Sequence, residues 1–264
     1  MSNEPVIFTK KGIIAKLQEI RDREWIKGAR NGNVGSVGNT LEDLLGIEEN
    51  NLPIPNAAEW ELKCQRLKTS SLTTLFHMEP SPTALKFVPA ILLPNYGWPH
   101  KEAGNKYPTN EMSFRQTIST KGRSDRGFMV VVNEIEQKIL VSFDSKKVAD
   151  KHLYWLSQVI SKIGGGEINP QPYWGFDDLY HKAGTKLHNC FFIGALHRKI
   201  DGVEYFYYKK ILMLKKFSKK RFIKAISDGD ILIDFDARTG HNHGTKFRFR
   251  NNKLPELYEE VIEI

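Results

Sequence analysis

Asn56-Ala57-Ala58-Glu59-Trp60-Glu61-Leu62-Lys63 is the stretch on which the reading of this 264-residue chain turns. It ends in an acidic residue, one hydrophobic residue and a lysine. In a β-strand alternate residues face the same side. Glu61 and Lys63 would therefore project together from one face, while Trp60 and Leu62 point into packing. A carboxylate able to hold a divalent cation, beside an amine able to position or polarise a water, is the minimal apparatus for metal-assisted phosphodiester hydrolysis. Glu-x-Lys alone occurs by chance in many proteins, and its ordinary explanation is a structural ion pair. The surrounding residues must decide between the two.

Upstream lies Gly38-Asn39-Thr40-Leu41-Glu42-Asp43-Leu44-Leu45, which reads as a helix start. Asn39 or Thr40 could cap it, and leucines recur at helical spacing. Glu42 is then expected near the amino end of a short helix preceding the strand, where an acidic group can join a Glu-x-Lys site. The plainer explanation is that Glu42 and Asp43 complement the helix dipole.

Taken together, Gly38 to Leu45, Glu48 to Leu52, Glu59 to Lys63 and Ser71-Leu72-Thr73-Thr74-Leu75-Phe76-His77 resemble the MvaI/BcnI restriction endonucleases, relatives of the mismatch-repair nuclease MutH in the PD-(D/E)XK superfamily. The likeness continues at Asp228-Gly229-Asp230-Ile231 and at Gly240-His241-Asn242-His243-Gly244-Thr245-Lys246-Phe247-Arg248. It runs from about Lys10 to Tyr258 and is weakest between Glu79 and Glu111. The resemblance implies an α/β fold: a PD-(D/E)XK nuclease core with a mixed sheet flanked by helices, two lobes around a DNA cleft. It implies one nuclease domain over 1–264, with a catalytic lobe of about 1–145 and a recognition lobe of about 146–264. It also implies a monomeric, Mg²⁺-dependent type II restriction endonuclease. Such an enzyme would cut double-stranded DNA at a short GC-rich pseudo-palindrome of the CC-N-GG type, with a cognate methyltransferase expected in the same host but not as a physical partner.

By the same resemblance, position 56 and Glu61 would be the metal ligands, Lys63 would orient the attacking water, and Glu42 would support a metal or water. One departure matters. Asn56 stands where the family places an aspartate, seven residues before the lysine. A neutral amide oxygen is a poorer ligand for a hard cation, so the chain as written is expected to be cleavage-deficient. A deliberate substitution is favoured over a natural variant, because Glu42, Glu61 and Lys63 all remain. A catalytically silent sequence-specific DNA-binding protein and a MutH-like repair nickase are the alternatives.

The rest of the sequence is compatible with this. Hydrophobic residues make up 40%, enough for an ample core. The net charge of +8, from 39 Lys and Arg against 31 Asp and Glu, is modest evidence for a polyanionic partner. The two cysteines, Cys64 and Cys190, lie far apart without metal-ligand spacing. No apolar stretch approaches bilayer-spanning length and the amino terminus has no secretory character, so a cytoplasmic setting is expected. Arg30 to Gly38 reads as a glycine-rich loop without the ending of a nucleotide-binding loop. The periodicity predicts helices over Lys10 to Ile26, Lys147 to Ile163, Phe176 to Ala183, Lys219 to Ser227 and Leu254 to Ile262. Strands are predicted over Ala57 to Cys64, Leu72 to His77, Phe114 to Ser119, Gly127 to Asn133, Lys138 to Phe143, Ile231 to Asp236 and Lys246 to Arg250. Cys190 to His197 and Glu204 to Leu214 read as a strand pair turning at Asp201-Gly202. Proline-rich Glu79 to Pro108 reads as an irregular excursion.

Two classes of residue are candidates for meeting DNA. Arg123 and Arg126, in Lys121 to Gly127, and Lys219, in the cluster Lys215 to Lys224, could grip the backbone; the plainer alternative is a solvated surface. His241, His243 and Arg248 could read base edges, Arg248 through a bidentate contact with guanine. His77 joins them through the resemblance, against the ordinary reading of a histidine ending a strand.

Overall fold

The computed structural model describes residues 9–29, 35–47, 59–67 and 69–264. In chain order it contains helix α1 (Lys10–Asp22), strand β1 (Trp25–Lys27), α2 (Ser36–Leu45), β2 (Glu61–Arg66), β3 (Leu72–His77), α3 (Leu93–Tyr96), β4 (Trp98–Pro99) and β5 (Met112–Ile118). There follow β6 (Arg126–Asn133), β7 (Lys138–Val148), α4 (Leu153–Ile163), β8 (Tyr173–Gly175), α5 (Phe176–Leu187), β9 (Asn189–Ile200) and β10 (Val203–Phe217). The last elements are α6 (Lys219–Ser227), β11 (Ile231–Arg238), β12 (His241–Asn242), β13 (Lys246–Arg250) and β14 (Tyr258–Glu263). The fold is mixed α/β. No helix among the described residues is long and apolar enough to cross a membrane.

The chain forms two compact units, each discontinuous in sequence. The first comprises Met1–Thr73, Ala183–Arg221 and Arg250–Ile264; the second comprises Thr74–Lys182 and Phe222–Phe249. The division expected at 145/146 falls inside β7, a strand of the second unit, because the β6–β7 hairpin is one paired element. The first unit instead draws on both ends of the chain.

In the first unit a sheet runs β1-β10-β9-β2, with β14 also on β10. β2 is parallel to β9 and the other pairs are antiparallel, so the sheet is mixed as expected. Helix α1 packs on it through Ile13, Leu17 and Ile20, one stripe at helical spacing, with Thr9 capping its start by accepting from Gly12 N at 3.1 Å. It ends at Asp22, short of the expected Ile26. Glu24 turns at φ 55, and Trp25–Lys27 extend to pair with Tyr205–Tyr207 of β10. Helix α2 begins at Ser36 with Gly35 at its N-cap, not at Asn39 or Thr40. The Thr40 hydroxyl instead donates back to Ser36 O at 2.7 Å, so Glu42 lies in the second half of the helix and not in its first turn. The β9–β10 hairpin turns at Asp201-Gly202, both at positive φ (48 and 80), a two-residue turn whose twist matches its strands.

The expected final helix is absent. Asn251–Leu257 form a 3₁₀ segment containing Pro255, and Tyr258–Glu263 form β14, an antiparallel partner of Leu212–Phe217. The edge of β10 offers a full row of backbone donors and acceptors there, and the cross-strand pair Lys215–Glu260 at 3.0 Å adds to the register. Edge pairing with β10 therefore outweighs the apparent helical pattern of this stretch.

The second unit holds most of a sheet ordered β3-β13-β11-β5-β4, with β12 on β11 and the pairs among β13, β11, β5, β4 and β12 antiparallel, and a three-stranded sheet β6-β7-β8. Aromatic rings fill it: Phe76 stacks on Phe247 at 4.9 Å, and Phe114, Phe128 and Phe143 form edge and tilted pairs. The proline-rich excursion supplies short helical turns, α3 and β4, and is anchored where Trp155 Nε1 donates to Tyr96 O and Gly97 O. Lys147 and Val148 prolong β7, so α4 starts later than the expected Lys147.

Tyr258 is fully buried, and its hydroxyl donates to Leu187 O at 2.8 Å. Tyr258→Ala is expected to destabilise the protein by about 3–5 kcal/mol, as large aromatic truncations in a core do. A urea titration measures this, whereas a surface helix over Leu254 to Ile262 would leave the midpoint almost unmoved.

Candidate active site and nucleic-acid interface

In the first unit, β2 presents Glu61 and Lys63 on one face while Trp60 and Leu62 join the core, as strand alternation requires. Glu61 is only 1% exposed and Lys63 14%. Lys63 Nζ lies 2.7 Å from Glu61 Oε1. A second ammonium, Lys186 Nζ from the last turn of α5, lies 3.7 Å from the same oxygen. Glu61 Oε2 is buried and has no hydrogen-bond partner among the described residues. A buried carboxylate oxygen without a donor is costly unless something positive completes it. It suits a hard divalent cation, which takes oxygen ligands.

Lys186 carries no local signature. It lies beyond the expected end of its helix at Ala183, and only the fold brings it to β2. Asn56 lies outside the described residues, as do Ala57 and Ala58, the start of the expected strand, the acidic run at 48–52 and most of the glycine-rich loop. Glu42 is half-buried on α2, and its charge acts on Cys64, the residue after Lys63. Burial first, and Glu42 second, push the Cys64 thiol well above its ordinary range. Cys190 sits beside Glu61 in the β2–β9 register, and burial followed by the Glu61 charge pushes its thiol up to about 12. Neither cysteine is therefore a nucleophile near neutrality. Among the described residues no group of three or more His, Cys, Asp or Glu side chains converges on a common point.

The second unit gathers the base-reading candidates. His77 ends β3 and is exposed. It faces Gly244, where φ is +83 and an added Cβ would stand 3.3 Å from His77 Cδ2, so glycine is required both by conformation and by the close approach. Glu79 fastens this turn: its Oε1 accepts from Thr245 N at 2.9 Å and from Asn242 Nδ2 at 3.3 Å, and its Oε2 accepts from the Thr245 hydroxyl at 3.2 Å. The His241 and His243 rings meet edge-on at 4.2 Å. Arg248 lies on β13 with a guanidinium nitrogen 3.2 Å from Asp234 Oδ2.

Around them is a polar sheet face that the sequence reading missed. Asp234 accepts from the Thr117 hydroxyl at 2.8 Å, and Asp236 pairs with Arg115 and Lys246, each at 2.8 Å. The alternation Ile231-Leu232-Ile233-Asp234-Phe235-Asp236 is the signal that could have revealed it, since every second residue is buried. Burial opposes the charge on Asp236. Lys246, Arg115 and His243 overcome it and hold the carboxyl below its ordinary value.

The expected backbone-gripping arginines are placed differently. Arg123 donates to Gly127 O at 2.8 Å and to the Ser142 hydroxyl at 3.1 Å, tying its loop to the β6–β7 hairpin. Arg126 lies flat over Trp98, 3.9 Å from the ring centroid, and near Trp155. The Arg123 donors and the face of the Arg126 guanidinium find partners inside the second unit, while Arg126 Nε is buried with no hydrogen-bond partner among the described residues. Lys219 opens α6 and is half-buried, while Lys224 pairs with Asp228 and Lys215 and Lys216 pair with Glu260.

A comparison with curated protein sequences finds no match. Among solved structures, the chain is similar to the restriction endonuclease MvaI in complex with cognate DNA substrate, at 24% identity over 97% of this chain and 99% of that one, with a TM-score of 0.74. It is also similar to MvaI in the absence of DNA, at 21% identity over the whole of both chains, with a TM-score of 0.53. At these identities the likeness shows the fold. The profile of the MvaI/BcnI restriction endonuclease family matches residues 14–258, nearly the whole chain, and the protein belongs to that family.

Proposed function

We propose that the protein is a type II restriction endonuclease whose cleavage centre is built on Glu61 and Lys63. On this reading it hydrolyses phosphodiesters of double-stranded DNA at a GC-rich pseudo-palindrome of the CC-N-GG type, with Mg²⁺ as cofactor. The observation that carries it is the pairing of Lys63 with the buried Glu61, with Lys63 at 2.7 Å from one carboxylate oxygen and the other oxygen without a hydrogen bond among the described residues. Glu61 and residue 56 would hold the cation, with Glu42 in support. A bound divalent cation supplies positive charge against the negative charge that builds on the phosphate. Lys63 donates a hydrogen bond that orients the attacking water. Acting as a monomer with one such centre, the enzyme nicks one strand and rebinds to cut the other. His77, His241, His243 and Arg248 read base edges, because only side chains presenting fixed donors and acceptors to the groove can distinguish sequences.

Asn56 sets the activity of this particular chain. An amide in place of a carboxylate removes one anionic ligand, which favours a form that binds its site and cuts little. The test is digestion of a phage genome with Mg²⁺ by the chain and by Asn56→Asp, with sequencing of the ends. Strong cutting is expected only from Asn56→Asp; efficient double-strand cleavage by the unaltered chain would overturn this reading of Asn56. Cutting confined to one strand, or dependent on a partner protein, would favour a MutH-like nickase.

Lys63→Ala in the Asn56→Asp background is expected to abolish cleavage while specific binding in Ca²⁺ stays nearly unchanged. Collapse of binding as well, in a filter-binding assay, would make Glu61 and Lys63 a purely structural ion pair.

Reading and gripping are expected to separate in salt titrations. Arg248→Ala or His243→Ala should weaken cognate binding by about 1–3 kcal/mol with little change on random DNA. Lys219→Ala should weaken both alike and lower the salt slope by about one unit. Arg123→Ala and Arg126→Ala should lower the melting temperature and leave the salt slope unchanged, given their inward partners. A reduced slope in either would return it to the backbone-gripping set.

A further inference from the structure

We infer that Lys186 is a positioning residue of the cleavage centre: together with Lys63 it engages one oxygen of Glu61, leaving the other as the oxygen offered to a divalent cation, and its charge limits how tightly that cation is held. The inference rests on the reading of Glu61 and Lys63 above. Lys186 Nζ approaches Glu61 Oε1 to 3.7 Å, on the oxygen that Lys63 holds at 2.7 Å, whereas Oε2 has no hydrogen-bond partner among the described residues. A carboxylate free to turn would present either oxygen. One flanked by two ammonium groups on the same oxygen has a fixed orientation.

The placement of Lys186 is itself secured. The lysine occupies the last turn of α5, where a cation is favoured by the helix dipole. The next residue, Leu187, is fully buried, and its carbonyl accepts from the Tyr258 hydroxyl at 2.8 Å. The Tyr258 carbonyl in turn accepts from Arg221. Lys186 is only 23% exposed, so it reaches toward the buried carboxylate instead of standing out in water. A positive charge so close to a cation's ligand opposes the cation by direct repulsion. The arrangement exchanges affinity for a defined geometry, which a purely structural ion pair has no reason to do.

The test is a Mn²⁺ titration of the full chain and of its Asn56→Asp form, read by electron paramagnetic resonance, with Glu61→Gln identifying which bound Mn²⁺ belongs to this site. Lys186→Met keeps the aliphatic stem and removes the charge. It is expected to tighten that Mn²⁺ at least about threefold while slowing single-turnover cleavage at saturating Mn²⁺ in the Asn56→Asp background. Lys186→Arg should stay close to the parent in both. Opposite movement of affinity and rate is what a packing role cannot produce. Mn²⁺ binding that is unchanged or weaker in Lys186→Met, at a lowered or equal melting temperature, would overturn the inference and leave the proposed function standing. If no Mn²⁺ signal depends on Glu61 in either background, the proposed cleavage centre fails and the inference fails with it.

Discussion

A carboxylate kept almost entirely from water is the constraint around which the first unit is organised. Glu61 is on the edge strand of the sheet, yet it is as buried as the leucines of the core. Such a group survives as an anion only if positive charge is delivered to it. The fold delivers it twice, from the same strand through Lys63 and from α5 through Lys186. The second delivery depends on the parallel pairing of β2 with β9, because β9 begins directly after α5 and sets where that helix ends relative to Glu61.

Charge pairing also explains the second unit's polar sheet face, with a different outcome. There the carboxylates of Asp234 and Asp236 are only partly covered, and each is met by arginine, lysine or threonine from a neighbouring strand. These pairs hold long side chains in defined positions at little cost in stability, since half-exposed ion pairs contribute modestly. What they gain is preorganisation: a guanidinium already fixed by Asp234 loses less freedom when it meets a base. The interface candidates are thus scaffolded side chains.

Much of this was legible in the residues because it depends on short-range rules. Strand alternation places Glu61 beside Lys63, the Asp201-Gly202 turn sets the hairpin, and the hydrophobic period marks α6 and β3 to the residue. The start of α2 was missed for a local reason, the Thr40 hydroxyl bonding back to Ser36 O, whereas the larger misses come from pairing between distant segments. Trp25–Lys27 looks like the end of a helix until β10 offers it an edge, and Tyr258–Glu263 looks helical until the same strand claims it. Lys186 could not be found by spacing, since its partner is on a strand far back in the chain. Nor does anything local announce Ser142 beside Arg123 or Trp98 beneath Arg126.

The single strand β10 accepts β1 along one stretch and β14 along another. During synthesis, then, the sheet that carries Glu61 waits with half of one edge bare until residue 263 has emerged from the ribosome, although Glu61 itself emerged long before. The second unit waits as well, since β5 in its segment 74–182 pairs with β11 from the later segment 222–249. Tyr258, the residue that fixes the end of α5 beside Lys186, is among the late arrivals. A nascent chain therefore completes its candidate base-reading scaffold only once 231–250 have been made, and the brace on which the second lysine depends only once Tyr258 has followed, both long after Glu61.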